Sequence, residues 1–384
     1  MDKNIEEYVV NLRRYFHENP ESSLKEYNTS KRIKKELEIL NIPYEEVGET
    51  GVIGFIGRND SNKEIVLRAD IDALEIEDKK DVEYKSKNNN LMHACGHDGH
   101  TASLLGACRI LKENEYKIDG QVKVIFQQAE EIGQGARKFS KEGYLDKISS
   151  AFAIHFASNV PVGKVAVRPG PVMAACDYFK ATFQGKSGHV SKPHKCVDAL
   201  YIASSSVVNV QSIVSRHTDP LDPVLIGIGV LNSGTRYNII ANEAIIEGTF
   251  RTFNEDTRNQ VRHEIEEIFK STAKFNGGSV NIEFKSFADA VINDKEEVKK
   301  IEILVEKILG ENSIINDREK SLGADDFAEF AKFAPSVYVH VGSGNPLKPN
   351  TLVEHHHELF DLDEEALIIA TNLYVAYALN EFDN

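Results

Sequence analysis

Apolar and polar positions change rhythm along this chain, and the changes mark its elements. The first forty residues read as two helices split at Pro20. Ser23-Leu24-Lys25-Glu26 has the spacing of a capping box, which predicts a second helix running amphipathically to about Leu40. After Gly51 short uninterrupted apolar runs alternate with helical stretches. GVIGFIG and EIVLRAD read as strands, TASLLGACRILKEN as a helix and VKVIFQ as a strand, then GARKFSKEG as a helix and SAFAIHF as a strand. Strands apolar on both faces, separated by helices, predict an α/β layer fold with a mostly parallel central sheet.

Near Ala175 the pattern becomes strictly alternating in DYFKATFQGKSGH, so one face of that strand should be wet. A helix over 197–216, strands PVLIGIGVL and EAIIEGTFRTF, a helix over 255–275 and the strand SVNIEFKSF follow. This order predicts a smaller α+β domain, an antiparallel sheet backed by two helices, inserted into the larger one. From about Ala290 the first pattern resumes, with helices over 296–309 and 325–333, the strand PSVYVHVG and a closing helix over 363–379 whose apolar face should dock. The expected division is therefore 1–175 with 290–384 as one domain and 176–289 as the other.

Composition narrows the function classes. Lys and Arg number 45 against 60 Asp and Glu, for a formal net charge of −15 among 384 residues. That sign disfavours a nucleic-acid backbone or an anionic membrane surface as partner. No apolar run approaches the roughly 18–20 residues that span a bilayer. The first residues, MDKNIEEYVV, place acids where a signal peptide would have its apolar core. Cys95, Cys108, Cys176 and Cys196 make no disulfide framework. The expectation is a cytoplasmic, globular protein.

The densest chemical signal is His93-Ala-Cys-Gly-His-Asp-Gly-His100, three histidines and a cysteine in eight residues, borderline-soft donors suited to zinc and its neighbours. Gln127-Gln-Ala-Glu130-Glu131 follows the strand VKVIF, and the carboxyl ends of strands are where open α/β sheets place ligands. Asp70 ends the run IVLRAD, and if the strand continues to Asp72 alternation puts both carboxylates on the same side, where they repel unless a cation or protonation relieves them. His155 stands inside the apolar strand AFAIHF, a position that by itself suits a hydrogen-bonded core histidine as well as a ligand. His355-His356-His357 forms a further cluster before Phe360-Asp361. In the inserted stretch, His189, His194, Asn238 and Arg251 are individually ordinary, although an arginine and an amide together suit a carboxylate.

Taken in order, RRYFHENPE, RADIDAL, MHACGHDGHTASLLGA, QQAEE, the histidine after AFAI, SGHVSKPH, RYNIIA, GTFRTF, GADDF and the histidine before FDLDEEAL cover the chain nearly end to end. This series resembles the aminoacylase, hippurate hydrolase and indole-acetyl-amino-acid hydrolase branch of the dinuclear metallopeptidases. The resemblance implies two divalent metal ions per chain (Zn, Mn, Co or Ni), held by Cys95, His97, Glu131, His155 and His356. The choice of His356 rests on its offset from Phe360-Asp361, with His355 and His357 as the alternatives. Glu130 is implied as the general base and Asp72 as the carboxylate that orients a ligand. Asp70 lies where distant relatives place a metal-binding histidine. His189 is implied as the oxyanion stabiliser, in cis or from a partner subunit, while Asn238, Arg251 and His194 face the substrate.

Two departures from the family pattern are visible. Ala324-Asp-Asp-Phe327 replaces a common Ser-Glu-Asp-Phe, and His357-Glu358 replaces a small-residue-Pro step. The implied activity is hydrolysis of N-acyl amino acids to a carboxylic acid and a free amino acid, by a lid-bearing homodimer or higher homo-oligomer. A dipeptidase or N-acetyl-diaminopimelate deacetylase of the same family is the neighbouring reading. A catalytically retired metal-binding protein is the reading from another class.

Overall fold

Pro20 separates α1 (Lys3–Glu18) from α2 (Tyr27–Ile39) in the computed structural model, which describes residues 3–58 and 63–383. The expected capping box does not form. Glu26 precedes α2 without a side-chain cap. Ser23 instead donates its hydroxyl to Asp72 at 2.7 Å, and the Glu26 carboxylate accepts from the Thr50 hydroxyl and the Ala129 N–H. Buried groups elsewhere in the fold compete for these side chains, and an exposed helix end can be satisfied by water.

The chain then forms β1 (Tyr44–Val47), β2 (Gly51–Gly57), β3 (Glu64–Asp70), α3 (His97–Glu113), β4 (Gln121–Gln127), α4 (Ala136–Lys141), β5 (Ile148–Pro161), β6 (Val165–Ala166) and β7 (Gly170–Met173). Next come β8 (Ala175–Gln184), β9 (Gly188–His189), α5 (Ala199–Asn209), β10 (Leu225–Ser233), β11 (Ile239–Ile240), β12 (Glu243–Thr252), α6 (Glu255–Phe275) and β13 (Ser279–Ala288). It closes with β14 (Val291–Asn293), α7 (Lys295–Leu309), β15 (Ile314–Ile315), β16 (Ser336–Gly344) and α8 (Glu365–Phe382).

Two compact units result. One comprises Met1–Val172, Val291–Glu319 and Asp325–Asn384, the other Met173–Ala290 and Lys320–Ala324. The sequence pattern gave no sign that Lys320–Ala324 belongs with the inserted stretch. The Ala174 N–H makes the link by donating to the carbonyls of Ser321 and Gly323.

The first unit carries an eight-stranded sheet in the order β1-β2-β4-β3-β5-β16-β6-β15. Its four central strands β4, β3, β5 and β16 are parallel, and antiparallel pairs flank them. The apolar runs of β3, β4 and β5 are buried on both faces, as a helix-covered parallel sheet requires. The closing helix docks on that core through Leu373, Tyr374 and Tyr377, all fully buried, and the Tyr374 hydroxyl donates to the Arg68 carbonyl at 2.7 Å.

The second unit has a four-stranded antiparallel sheet in the order β10-β12-β8-β13. Burial alternates along β8, which leaves one face wet. Two expectations are corrected in detail. The helix over 197–216 ends at Asn209 and continues as a π-helical turn, Ile213–His217, closed by Thr218 on the Ile213 carbonyl. The widened turn puts Val210 and Ile213 together in the core. The helix over 325–333 is a 3-10 segment, Asp326–Lys332, capped by Asp325.

Candidate metal centre

Strand ends of the first unit's sheet bring the chemical residues together. Asp70 is the last residue of β3, Glu130 and Glu131 follow β4, and His155 lies on β5. His97 opens α3 immediately after Gly96, whose φ of +88° is a left-handed conformation that glycine adopts without a Cβ penalty. Cys95 and His97 thereby flank one sharp turn. Two non-glycine residues also hold left-handed φ at the site, Ala129 at +54° and His356 at +63°. Each such residue stores roughly 1–3 kcal/mol that its surroundings must hold. Glu26 accepts the Ala129 N–H at 2.9 Å, and the His356 N–H donates to the Ala94 carbonyl at 2.9 Å.

Second partners fix the histidine tautomers. His97 donates from Nδ1 to the Asp72 carbonyl at 2.9 Å, which in the neutral ring leaves Nε2 as the lone pair. His155 donates from Nδ1 to the Phe156 carbonyl at 2.6 Å and points Nε2 at Cys95 Sγ, 3.5 Å away. This is the arrangement that prepares an imidazole for a cation. His100 is different. Its Nδ1 donates to Asp70 at 2.6 Å and its Nε2 accepts the Phe156 N–H at 3.0 Å, so neither nitrogen is free.

Cation-binding atoms converge in overlapping groups, each with its atoms within 4.8 Å of one another: Cys95, His97 and His155; Cys95, Glu131 and His356; His97, Glu130 and Glu131. His97 Nε2 and Glu131 Oε1 are buried and make no hydrogen bond. Two orphaned lone pairs 3.9 Å apart are costly unless a cation lies between them, so the donor set fits divalent metal. Of the three C-terminal histidines, His356 brings Nε2 to 3.6 Å from Glu131 Oε1, while His355 donates Nε2 to the Phe156 carbonyl.

The two inner carboxylates are secured differently. Asp72 accepts the N–H groups of Glu130 and Glu131 at 3.1 Å each, as well as the Ser23 hydroxyl. Burial opposes its charge, but the hydrogen bonds from His97, Ser23 and the Glu131 backbone hold its carboxyl below the usual range. The expected repulsion at Asp70 is relieved by protein, through Arg68 at 2.7 Å and His100.

Arg68 belongs to a network that sequence reasoning missed. Fully buried, it also meets Asp325 and Asp326 at 3.1 and 3.2 Å and donates to Gln127 at 3.0 Å. Tyr338 donates to Asp325 at 2.9 Å. A charged residue inside the apolar run IVLRAD was the available signal. Glu130, Asp325 and Asp326 place carboxylate oxygens within 4.8 Å of one another. Burial first, then Asp325, Glu131 and Asp326, push the Glu130 carboxyl well above its usual range. Burial likewise pushes Glu131 up to about 7, with Asp72 and Asp70 adding. A carboxyl that readily holds a proton can both take one up and give it away.

The remaining candidates lie in the second unit. β9 pairs with β11, with His189 opposite Ile239, and the Val190 N–H donates to the Asn238 carbonyl, so His189 and Asn238 are neighbours on one small ladder. The Asn238 side-chain oxygen is buried without a hydrogen bond. His194 sits in the exposed turn Pro193–Lys195. Arg251 lies on β12 and donates to the carbonyls of Leu322 and Phe250.

Known proteins are similar to this chain over most of its length. Residues 66–380 match Peptidase family M20/M25/M40. Thermostable carboxypeptidase 2 of Saccharolobus solfataricus is 38% identical over 386 residues, covering 100% of this chain and 97% of that protein. An IAA-amino acid hydrolase of Arabidopsis thaliana is 34% identical, covering 97% of this chain and 85% of its own. A solved Bacillus subtilis structure, described as a dinuclear metal binding peptidase from the M20 family, superposes with a TM-score of 0.86 at 31% identity, covering 99% of both chains. The chain belongs to Peptidase family M20/M25/M40 and is a hydrolase of amide bonds.

Proposed function

We propose that this protein is a metal-dependent amidohydrolase that cleaves N-acyl amino acids, with two divalent cations held by Cys95, His97, Glu131, His155 and His356. One observation carries the reading: His97 Nε2 and Glu131 Oε1 are buried and make no hydrogen bond, and each lies in a cluster with Cys95, the first with His155 and the second with His356. Zinc, manganese, cobalt and nickel all suit such a mixed S, N and O set. When bound, a pair of such ions acidifies water and polarises the substrate carbonyl.

The chain's own residues supply the rest. Glu130, its backbone fixed by Asp72 and its carboxyl surrounded by Asp325, Asp326 and Glu131, takes the proton of the attacking water and returns it to the departing amine. Asp72 and the Phe156 carbonyl hold the His97 and His155 rings in the tautomers that present Nε2. His189 supplies a donor to the developing oxyanion, and Asn238, Arg251 and His194 hold the substrate from the smaller unit, which acts as lid and homodimer surface. The relatives named above, a carboxypeptidase and an IAA-amino acid hydrolase, support this substrate class. Both names describe an amide whose leaving group is an amino acid. A cytoplasmic site of action agrees with four free cysteines.

The test is turnover of N-acetyl amino acids, hippurate and dipeptides before and after chelation. Metal-dependent release of amino acid from N-acyl substrates supports the proposal. Exclusive cleavage of dipeptides moves the assignment to a dipeptidase. Turnover that survives complete metal removal refutes it.

A further inference from the structure

Glu130 and Glu131 are neighbours in sequence with different proposed roles, so the backbone has to turn them apart. In β4, which lies between β2 and β3, successive N–H groups face alternate neighbours. Just past its end the pattern changes. The N–H groups of Ala129, Glu130 and Glu131 all go to buried carboxylates, the first to Glu26 at 2.9 Å and the next two to Asp72 at 3.1 Å each. Successive amides turned toward anions in this way form a concave nest, and Ala129 at φ +54° is its left-handed member. Beyond it the side chains diverge. Glu131 joins Cys95 and His356, whereas Glu130 joins Asp325 and Asp326.

Asp72 grips only the residues after the left-handed one. Ala129 itself is held through its carbonyl, which accepts the Gln134 N–H at 3.1 Å within the turn, and through its N–H, which reaches Glu26. Glu26 comes from the segment before α2, 103 residues away in sequence. Its other oxygen accepts the hydroxyl of Thr50 at 2.7 Å, and Thr50 is itself buried just before β2. One side of the carboxylate is thus seated on the sheet and the other carries the turn. A fully buried carboxylate is unfavourable unless hydrogen bonds compensate it, and the proposed mechanism so far gives this one no part.

We infer that Glu26 is a positioning residue, which through the Ala129 N–H holds the left-handed turn that sends Glu130 and Glu131 to separate roles. This rests on the reading of Glu131 as a metal ligand and Glu130 as the base.

The experiment compares wild type with Glu26→Ala, Glu26→Gln, Thr50→Val and the double variant Glu26→Ala, Ala129→Gly. Competition titration of manganese against a chelating dye, amide hydrogen exchange of the metal-free protein and kinetics on N-acetyl-leucine are the readouts. Glu26→Ala leaves the Ala129 N–H buried without an acceptor. Manganese affinity should fall about ten- to a hundredfold, exchange over residues 129–131 should quicken, and kcat should drop with KM little changed. Glutamine keeps both bonds, its carbonyl accepting from Ala129 and its NH2 donating to the Thr50 hydroxyl, so Glu26→Gln should recover most of the loss. Glycine adopts the left-handed turn without a Cβ, so the double variant should recover part of it.

A residue acting through its charge would not be rescued by glutamine. One that merely supports the fold would lower the melting temperature and leave the manganese affinity of the folded protein unchanged. Thr50→Val unseats Glu26 without touching the turn and should weaken manganese binding in the same sense. It decides the matter if Glu26→Ala does not fold, and unchanged affinity in it then overturns the role. If wild type binds manganese but cleaves no N-acyl amino acid, while Glu26→Ala still weakens binding and both rescues hold, the function is wrong and the positioning role stands. Unchanged affinity and exchange in Glu26→Ala, or equal losses in Glu26→Ala and Glu26→Gln, overturn it.

Discussion

Asp72 accepts the backbone N–H of Glu130 at 3.1 Å, and its other oxygen accepts that of Glu131 at the same distance. One buried carboxylate therefore sets the proposed general base and a proposed ligand in register, and its backbone carbonyl fixes the His97 tautomer. Asp72→Ala should weaken metal binding by about 10- to 100-fold, as loss of a partner behind a ligand does. Competition titration with a chelating dye measures it. Unchanged affinity would mean that Asp72 is only a fold residue.

Glu130→Gln separates proton transfer from metal binding. The amide keeps the size of the side chain but cannot take up a proton, so turnover should fall by roughly 10²–10⁴ while metal content stays near wild type. Metal analysis beside steady-state rates decides it. A variant of normal rate removes Glu130 from the mechanism.

The motif RRYFHENPE has a structural meaning. Arg13, fully buried, donates to Asp98 at 2.9 Å and to Asp361 at 2.6 Å, joining the segment after His97 to the segment after His356. Arg13→Met leaves those buried carboxylates without their cation and should cost about 3–5 kcal/mol of stability. Urea unfolding should show the midpoint fall. A shift below about 1 kcal/mol would contradict the role given to this pair.

The same cluster makes acid the destabilising direction. Burial opposes the charges of Asp98 and Asp361, yet Arg13 beside both holds their carboxyls below the usual range. Burial likewise opposes Asp78, which the hydrogen bond from His17 and the charge of Lys80 hold low. Depressed folded-state values contribute stability that is complete above the unfolded carboxylate range, about 4, and is lost as pH falls through the folded values. Calorimetry should show a melting temperature that drops steeply below about pH 4, and less steeply in Arg13→Met. Parallel profiles for the two proteins would refute the assignment.

Gly135 provides a test of the turn that carries the two glutamates. A Cβ added there would lie 1.6 Å from the Gln128 carbonyl oxygen. Gly135→Ala should therefore lose metal and activity together, whereas Gly229→Ala, where nothing lies within 4 Å and φ is not left-handed, should keep both. Equal metal content in wild type and Gly135→Ala would show that the turn has room to spare.

The strands of the central sheet were legible because continuous apolar runs such as GVIGFIG and VKVIFQ have few other homes in a folded chain. The donor cluster was legible because His93–His100 concentrates soft ligands on one turn. Neither Arg68–Asp325 nor Arg13–Asp98 could be read in the same way, since the partners stand 257 and 85 residues apart and only the folded sheet joins them. Ser23 and Glu26 misled for a related reason. Their spacing satisfies a local rule, but buried groups at Asp72 and Ala129 claim both side chains. His356, chosen from the sequence by its offset from Phe360-Asp361, faces Glu131 through a left-handed backbone turn that the sequence did not foretell.

Anomalous diffraction from crystals loaded with manganese locates the bound cations. Two neighbouring peaks are expected in the first unit, bounded by Cys95, His97, Glu131, His155 and His356. A single peak elsewhere, or no peak at full loading in solution, would contradict it.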